Sequence, residues 1–104
     1  MPYSPEWTTR LSTATGLDAR AYLLLHSAYG HYLGQCVNQF LAKFAIDAAS
    51  VDLVASHGHT VFHEPWNGMT GQIGDGAAIA GETRLPVVSD LRAMDVAQIG
   101  RAHV

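Results

Sequence analysis

Between Leu17 and Phe44 apolar side chains recur at three- and four-residue spacing for about seven turns. Leu17, Ala21, Leu24, Leu25, Ala28, Tyr29, Tyr32, Leu33, Cys36, Val37, Phe40, Leu41 and Phe44 carry the pattern. The spacing predicts a helix over 17–44, and the rest of a short chain has to be arranged along it. Gly30 and Gly34 lie one turn apart inside it, each costing up to ~1 kcal/mol relative to Ala. Their expected use is the close approach of another backbone, with a mild bend as the alternative. The stripe is broad, which predicts packing against a sheet.

A chain of 104 residues forms at most one small domain. At this length it can bury roughly two-thirds of its unfolded surface, enough for a modest core. Only 14% of the residues are charged, against about 25% in an ordinary soluble domain. The expectation is a piece covered by more protein on several sides. A net charge of −3 with six unclustered basic residues argues against nucleic acid or an anionic membrane surface as partner. Cys36 stands alone, so no internal disulfide forms, in keeping with a reducing compartment. No apolar run approaches the ~20 residues that span a bilayer, and the opening MPYSPEWTTR lacks a secretory pattern. A soluble cytoplasmic protein is expected.

Residues 1–16, with Pro2, Pro5 and several Ser and Thr, read as an irregular lead-in. After the helix, 46–50 turn into an apolar strand over 51–56. Asn67-Gly68 is a hairpin turn signal, pairing 60–63 with 69–73. Asp75 stands where an N-cap should, ahead of a short helix over 76–83. A second buried strand, 86–89, ends at Asp90. Helix, strand, hairpin, helix and strand make an α/β chain, with polar residues gathered after the strand ends, where open α/β sheets hold their ligands.

Three polar knots carry the candidate chemistry. His57, His59 and His63 are odd-numbered, so an extended chain would put them on one face. A His-x-His pair can bind zinc or a similar metal, with Asp75 or Asp90 completing the set. The alternative is histidines that hydrogen-bond or position a substrate, with Gly58 and Thr60 shaping the backbone path. Gly71, Gly74 and Gly76 before a helix resemble a phosphate cradle. Asp75 would fill it with a carboxylate, however, and no Lys follows where such a loop needs one, so a helix cap is the better reading. Asp90, with Arg92 and Asp95 close behind, is either an acid/base group held ionised by its arginine or a surface ion pair worth ~0–1 kcal/mol.

Taken together, VDLVASHGHTVFHEP, TGQIGDGAAIA and LPVVSDLRAMDVA resemble the central part of the anhydro-N-acetylmuramic acid kinases. The resemblance is close over 51–97 and extends to AYGHYLG and VNQF in the preceding helix. It implies part of an actin-like, ribonuclease H-like sugar-kinase fold of two α/β domains with the active site between them. It also implies hydrolytic opening of the anhydro ring and transfer of the ATP γ-phosphate to the 6-oxygen, in cytoplasmic cell-wall recycling, with magnesium accompanying ATP. By matching position, Asp90 is the general base that activates water. His57, Gly58, His59 and Thr60 match the family's His-Gly-Gln/His-Thr segment and would line the site of a small amino sugar. Gln72, Asp75, Arg92 and Asp95 would support that pocket. The family uses no zinc, which weakens the metal reading, and a homodimer of the full-length protein is allowed.

The departures are also specific. No Gly-Thr-Ser-x-Asp-Gly phosphate segment precedes Leu17, and Leu91 stands where the family usually has Phe. After Ala97 the family continues into Gly-Gly-Gln-Gly-Ala-Pro, whereas this chain reads Gln98-Ile99-Gly100-Arg101-Ala102-His103-Val104. Codons for Gly-Gln-Gly-Ala-Pro read one base out of frame give Gly-Arg-Ala-His. The expectation is therefore a fragment with an aberrant 98–104 tail, carrying the sugar side of an active site, no ATP-binding segment and no activity alone. Two other readings remain: a small metal-binding or metal-hydrolase module built on His57, His59 and His63, and a poorly folding remnant that self-associates through its apolar stripe.

Overall fold

A computed structural model of the chain describes residues 3–102. Met1 and Pro2 of the lead-in and the last two residues of the tail, His103 and Val104, lie outside them. Helix α1 spans Pro5–Ser12 and is followed by a 3-10 turn, Ala14–Gly16. The lead-in is therefore not irregular. Ser4 accepts the Trp7 N–H, Pro5 sits in the first turn where its missing N–H is harmless, and Glu6 favours the helix start. Prolines read as breakers were the start signal.

Helix α2 runs Ala19–Lys43, capped by the Asp18 carboxylate accepting the Ala21 N–H. Strand β1, Val54–Ala55, is shorter than the expected 51–56, because only two residues pair with its parallel partner. Strands β2, His59–Glu64, and β3, Met69–Ile73, form an antiparallel hairpin around the turn Pro65–Asn67 and a left-handed Gly68. Helix α3 is Gly76–Thr83, strand β4 is only Val87–Val88, and helix α4 is Leu91–Ala102. The backbone of 98–102, set apart by sequence as an aberrant tail, continues α4.

The architecture is a mixed α/β arrangement with two separate two-stranded sheets. The hairpin forms one, and β1 pairs with β4 in parallel to form the other. The Val54 N–H donates to the Pro86 carbonyl at 2.8 Å and the Ser56 N–H to Val88 at 2.9 Å. Because the pair is parallel, both strands run out at the same edge, and the polar residues behind them meet there.

The main partner of α2 is α3, not a sheet. A side chain at Gly30 would stand 2.5 Å from the Asp75 carbonyl oxygen, and one at Gly34 would stand 2.5 Å from Glu82 Cβ. The two glycines let α3 and the turn before it rest on the α2 backbone, which offsets their low helix propensity. Asn38 Nδ2 donates to the Glu82 carbonyl, and His31 meets the Glu82 carboxylate at 2.8 Å, fastening the far end of the seam. The core joins Leu11, Ala14, Leu25, Tyr29 and Ile73, with Trp7, Tyr22, Tyr32, Leu33 and Val61 packed around them. The Tyr3 and Tyr29 hydroxyls are 2.6 Å apart. Burial first, then that hydrogen bond, pushes the Tyr29 phenol well above its ordinary value. Part of the predicted stripe is not covered: Leu17, Leu24, Phe40 and Phe44 are exposed, as are Leu53 and Val88. No helix among the described residues is long and apolar enough to cross a membrane.

Candidate functional site

A cleft of about 410 Å³ opens at the edge where β1 and β4 end. Its walls come from four places. The ends of the parallel strands bring Ser56 with His57, and Ser89 with Asp90; the hairpin brings Thr70 and Gln72; the turn before α3 brings Asp75; and α2 brings Tyr22 and His26. A larger hollow of about 500 Å³ is lined by Tyr32, Cys36, Val37, Phe40 and Val54. It is mainly apolar, and apart from Ser56 at its edge it shares no residue with the polar cleft. The smaller cleft is the candidate site.

The turn 74–76 organises it. The Gly74 N–H donates to His26 Nδ1 at 3.0 Å, and the Asp75 N–H donates to the His26 carbonyl at 3.1 Å. The Asp75 carboxylate accepts the Ala77 N–H at 3.0 Å and so caps α3. A side chain at Gly76 would collide with Ser89 Oγ. The packing therefore passes from α2 through the turn to Ser89 and its neighbour Asp90. Asp90 has φ 59°, in the left-handed region. Aspartate is one of the few non-glycine residues that visit this region, and such conformations concentrate at functional sites.

On the hairpin, Gln72 Nε2 donates to Thr70 Oγ1 at 2.7 Å and to Thr60 Oγ1 at 3.4 Å. This uses the amide's donor end and leaves Gln72 Oε1 buried with no hydrogen-bond partner. A buried acceptor without a donor is unfavourable by itself, and this atom has essentially no surface open to the cleft. Burial pushes the Tyr22 phenol above its ordinary value, so it keeps its O–H.

The predicted site residues divide. His57, Gln72, Asp75 and Asp90 line one cleft, and Thr60 touches it through Gln72. Gly58 turns the chain with φ 68° and packs against the Ile73 carbonyl. His59 does not line the cleft; its ring stands edge-on to Tyr29 with centroids 6.4 Å apart. Arg92 and Asp95 are exposed on α4 and also lie outside the lining. The expected Asp90–Arg92 pair does not form; among the described residues the arginine–carboxylate pair is Glu6–Arg10, and His31 Nδ1 meets Glu82.

The shared histidine face is also corrected. Thr60 pairs with Gln72 and Phe62 with Gly71, so Val61 is an extra residue, a bulge in β2. His59 then faces Ile73 and His63 faces Thr70, positions three apart on β3 and hence on opposite faces. His63 Nδ1 lies 3.2 Å from Thr70 Oγ1. Among the described residues no three His, Cys, Asp or Glu side chains are grouped to hold a metal ion. Tyr22, His26, Ser56 and Ser89 were not anticipated. His26 and Tyr22 were read only as members of a helix, although a histidine one turn before Gly30, where a backbone docks, was a usable sign.

The model of the anhydro-N-acetylmuramic acid kinase family matches residues 8–103. The chain belongs to that family. It is 51% identical over 67 residues to the anhydro-N-acetylmuramic acid kinase of Paramagnetospirillum magneticum, covering 64% of this chain and 19% of that protein. The Methylorubrum populi kinase is 48% identical over 71 residues, 68% of this chain and 19% of its own length. The Methylorubrum extorquens kinase is 40% identical over 92 residues, 88% of this chain and 22% of its own length. The chain thus spans about a fifth of the curated family relatives it matches.

Proposed function

We propose that this chain forms the sugar-binding side of an anhydro-N-acetylmuramic acid kinase active site. The observation that carries the reading is the cleft in which His57, Gln72, Asp75 and Asp90, from three separate sequence motifs, meet at the edge of a parallel strand pair. Asp90 is the general base: it takes the proton of a water that opens the anhydro ring, while the 6-oxygen becomes the phosphoryl acceptor. His57 and the Ser56 and Ser89 hydroxyls surround the ring, and Gln72 supports the pocket from the hairpin. Arg92 and Asp95 contribute from the rim if α4 approaches on binding. The setting is cytoplasmic cell-wall recycling.

ATP with magnesium is the phosphoryl donor in this reading. Among the residues described, the start of α3, where an anion would bind, is filled by the Asp75 carboxylate. No step through the nucleotide is assigned to them. The complete enzyme is an actin-like sugar kinase of two α/β domains that can form a homodimer. Its further protein packs on the apolar residues exposed along β1, β4 and the end of α2.

The test is a full-length relative carrying residues 8–103 of this chain in place of its own segment. It is expected to phosphorylate the anhydro sugar with ATP, and Asp90→Asn is expected to lower kcat by roughly 10²–10⁴-fold while sugar binding persists. Unchanged turnover in the Asp90→Asn protein would remove the general base from the proposal.

A further inference from the structure

Nothing in the sequence motifs points to His26, yet it makes two of the contacts that define the cleft. Its backbone carbonyl takes the Asp75 N–H, and its ring takes the Gly74 N–H at Nδ1. The second contact settles the chemistry of the ring. A backbone amide can only donate, so Nδ1 must present a lone pair, and a neutral imidazole then carries its proton on Nε2. The ring is half-buried and forms part of the cleft wall. Gly30, one turn further along α2, lets the Asp75 backbone come close enough for both contacts.

We propose that His26 is a positioning and specificity-determining residue: it holds the Gly74-Asp75 turn through Nδ1, and the Nε2–H thereby fixed is a donor to an oxygen of the sugar in the cleft. The donor half rests on the sugar reading given above; the positioning half does not. A donor of set tautomer on α2 would constrain the orientation of a ring bearing hydroxyl and acetamido groups. A site of this kind discriminates by leaving its polar groups unpaired when the wrong ligand enters.

The two halves separate in experiment. A long-range proton–nitrogen correlation spectrum of the chain at neutral pH is expected to show the His26 ring protonated on Nε2 alone; protonation on Nδ1 overturns the proposal. His26→Asn keeps an acceptor near the Nδ1 position and removes the donor. It is expected to leave the Gly74 amide protected from hydrogen exchange and to bind anhydro-N-acetylmuramic acid about tenfold more weakly than the unaltered chain. Equal affinity, with Gly74 still protected, removes the donor role. His26→Gln keeps a donor near Nε2 and gives up the acceptor, so Gly74 exchange is expected to quicken; unchanged protection overturns the positioning role. If the unaltered chain fails to bind the sugar, the sugar reading falls and the donor role falls with it. The tautomer and the Gly74 exchange then decide the positioning role.

Discussion

The hairpin β2–β3 and the parallel pair β1–β4 are each two strands wide, but they are held in different ways. The hairpin closes through a local turn, with the Gly68 N–H donating to the Pro65 carbonyl at 2.9 Å. One of its faces enters the core, where Ile73 is 0% exposed. The parallel strands pair for two residues each, with the hairpin and α3 between them in sequence. Leu53 beside them is 50% exposed and Val88 within them 44%. The hairpin therefore draws its stability from a turn and a buried face, whereas the parallel pair depends on the elements that carry its strands to one place. The candidate cleft follows the second arrangement, since only the parallel pair brings Ser56-His57 beside Ser89-Asp90.

Three measurements would break or sharpen this contrast. Ile73→Ala is expected to destabilise the chain by about 3 kcal/mol in urea unfolding, and Val88→Ala by under about 0.5 kcal/mol. Comparable losses would mean that the parallel pair carries as much of the fold as the hairpin. A smaller effect is expected at Gly68, whose φ of 65° disfavours any side chain. Gly68→Ala should cost about 1 kcal/mol and speed hydrogen exchange in the hairpin, leaving the Val54 and Ser56 amides unchanged. Equal acceleration in both sheets would show that they open as one unit.

The smallest effect is a pH dependence on the hairpin side of the core. The folded state raises the Tyr29 phenol, so above the ordinary tyrosine value of about 10 the unfolded chain loses its proton first. The contribution of Tyr29 is complete below that pH and is lost as pH rises beyond it. Stability should fall in alkali, and Tyr29→Phe should flatten the fall. A fall unchanged in the variant would place the titrating group elsewhere.

The same contrast separates what could be read in advance from what could not. Helix α2, α3 with its Asp75 cap, and the turn that closes at Asn67-Gly68 all depend on residues close to one another in the chain; the Asp18 cap of α2 is equally local but was not read. Helix α1 belonged with them, since Ser4, Pro5 and Glu6 form a start signal; counting the prolines as breakers hid it. The bulge at Val61 was not legible, and it sends His59 and His63 to opposite faces. A single unpaired residue inverts every later side chain, and no local pattern announces it. Asp90 was legible at a strand end, but its arginine partner was not: closeness in sequence put Arg92 beside it, and the start of α4 leaves Arg92 exposed outside the cleft.

The sequence by itself determined α2, α3 with its Asp75 cap, the hairpin turn and, through three ordered motifs, the family. These are local interactions, or patterns that survive without coordinates. Tertiary structure alone decided which face of α2 is buried, how short the parallel strands are, and that His26 and Tyr22 form a wall of the cleft. The contact between His26 and Gly74 spans 48 residues, and it exists because two glycines in α2 admit a second backbone. The close approach was readable from those glycines, but the segment that makes it was settled only by packing.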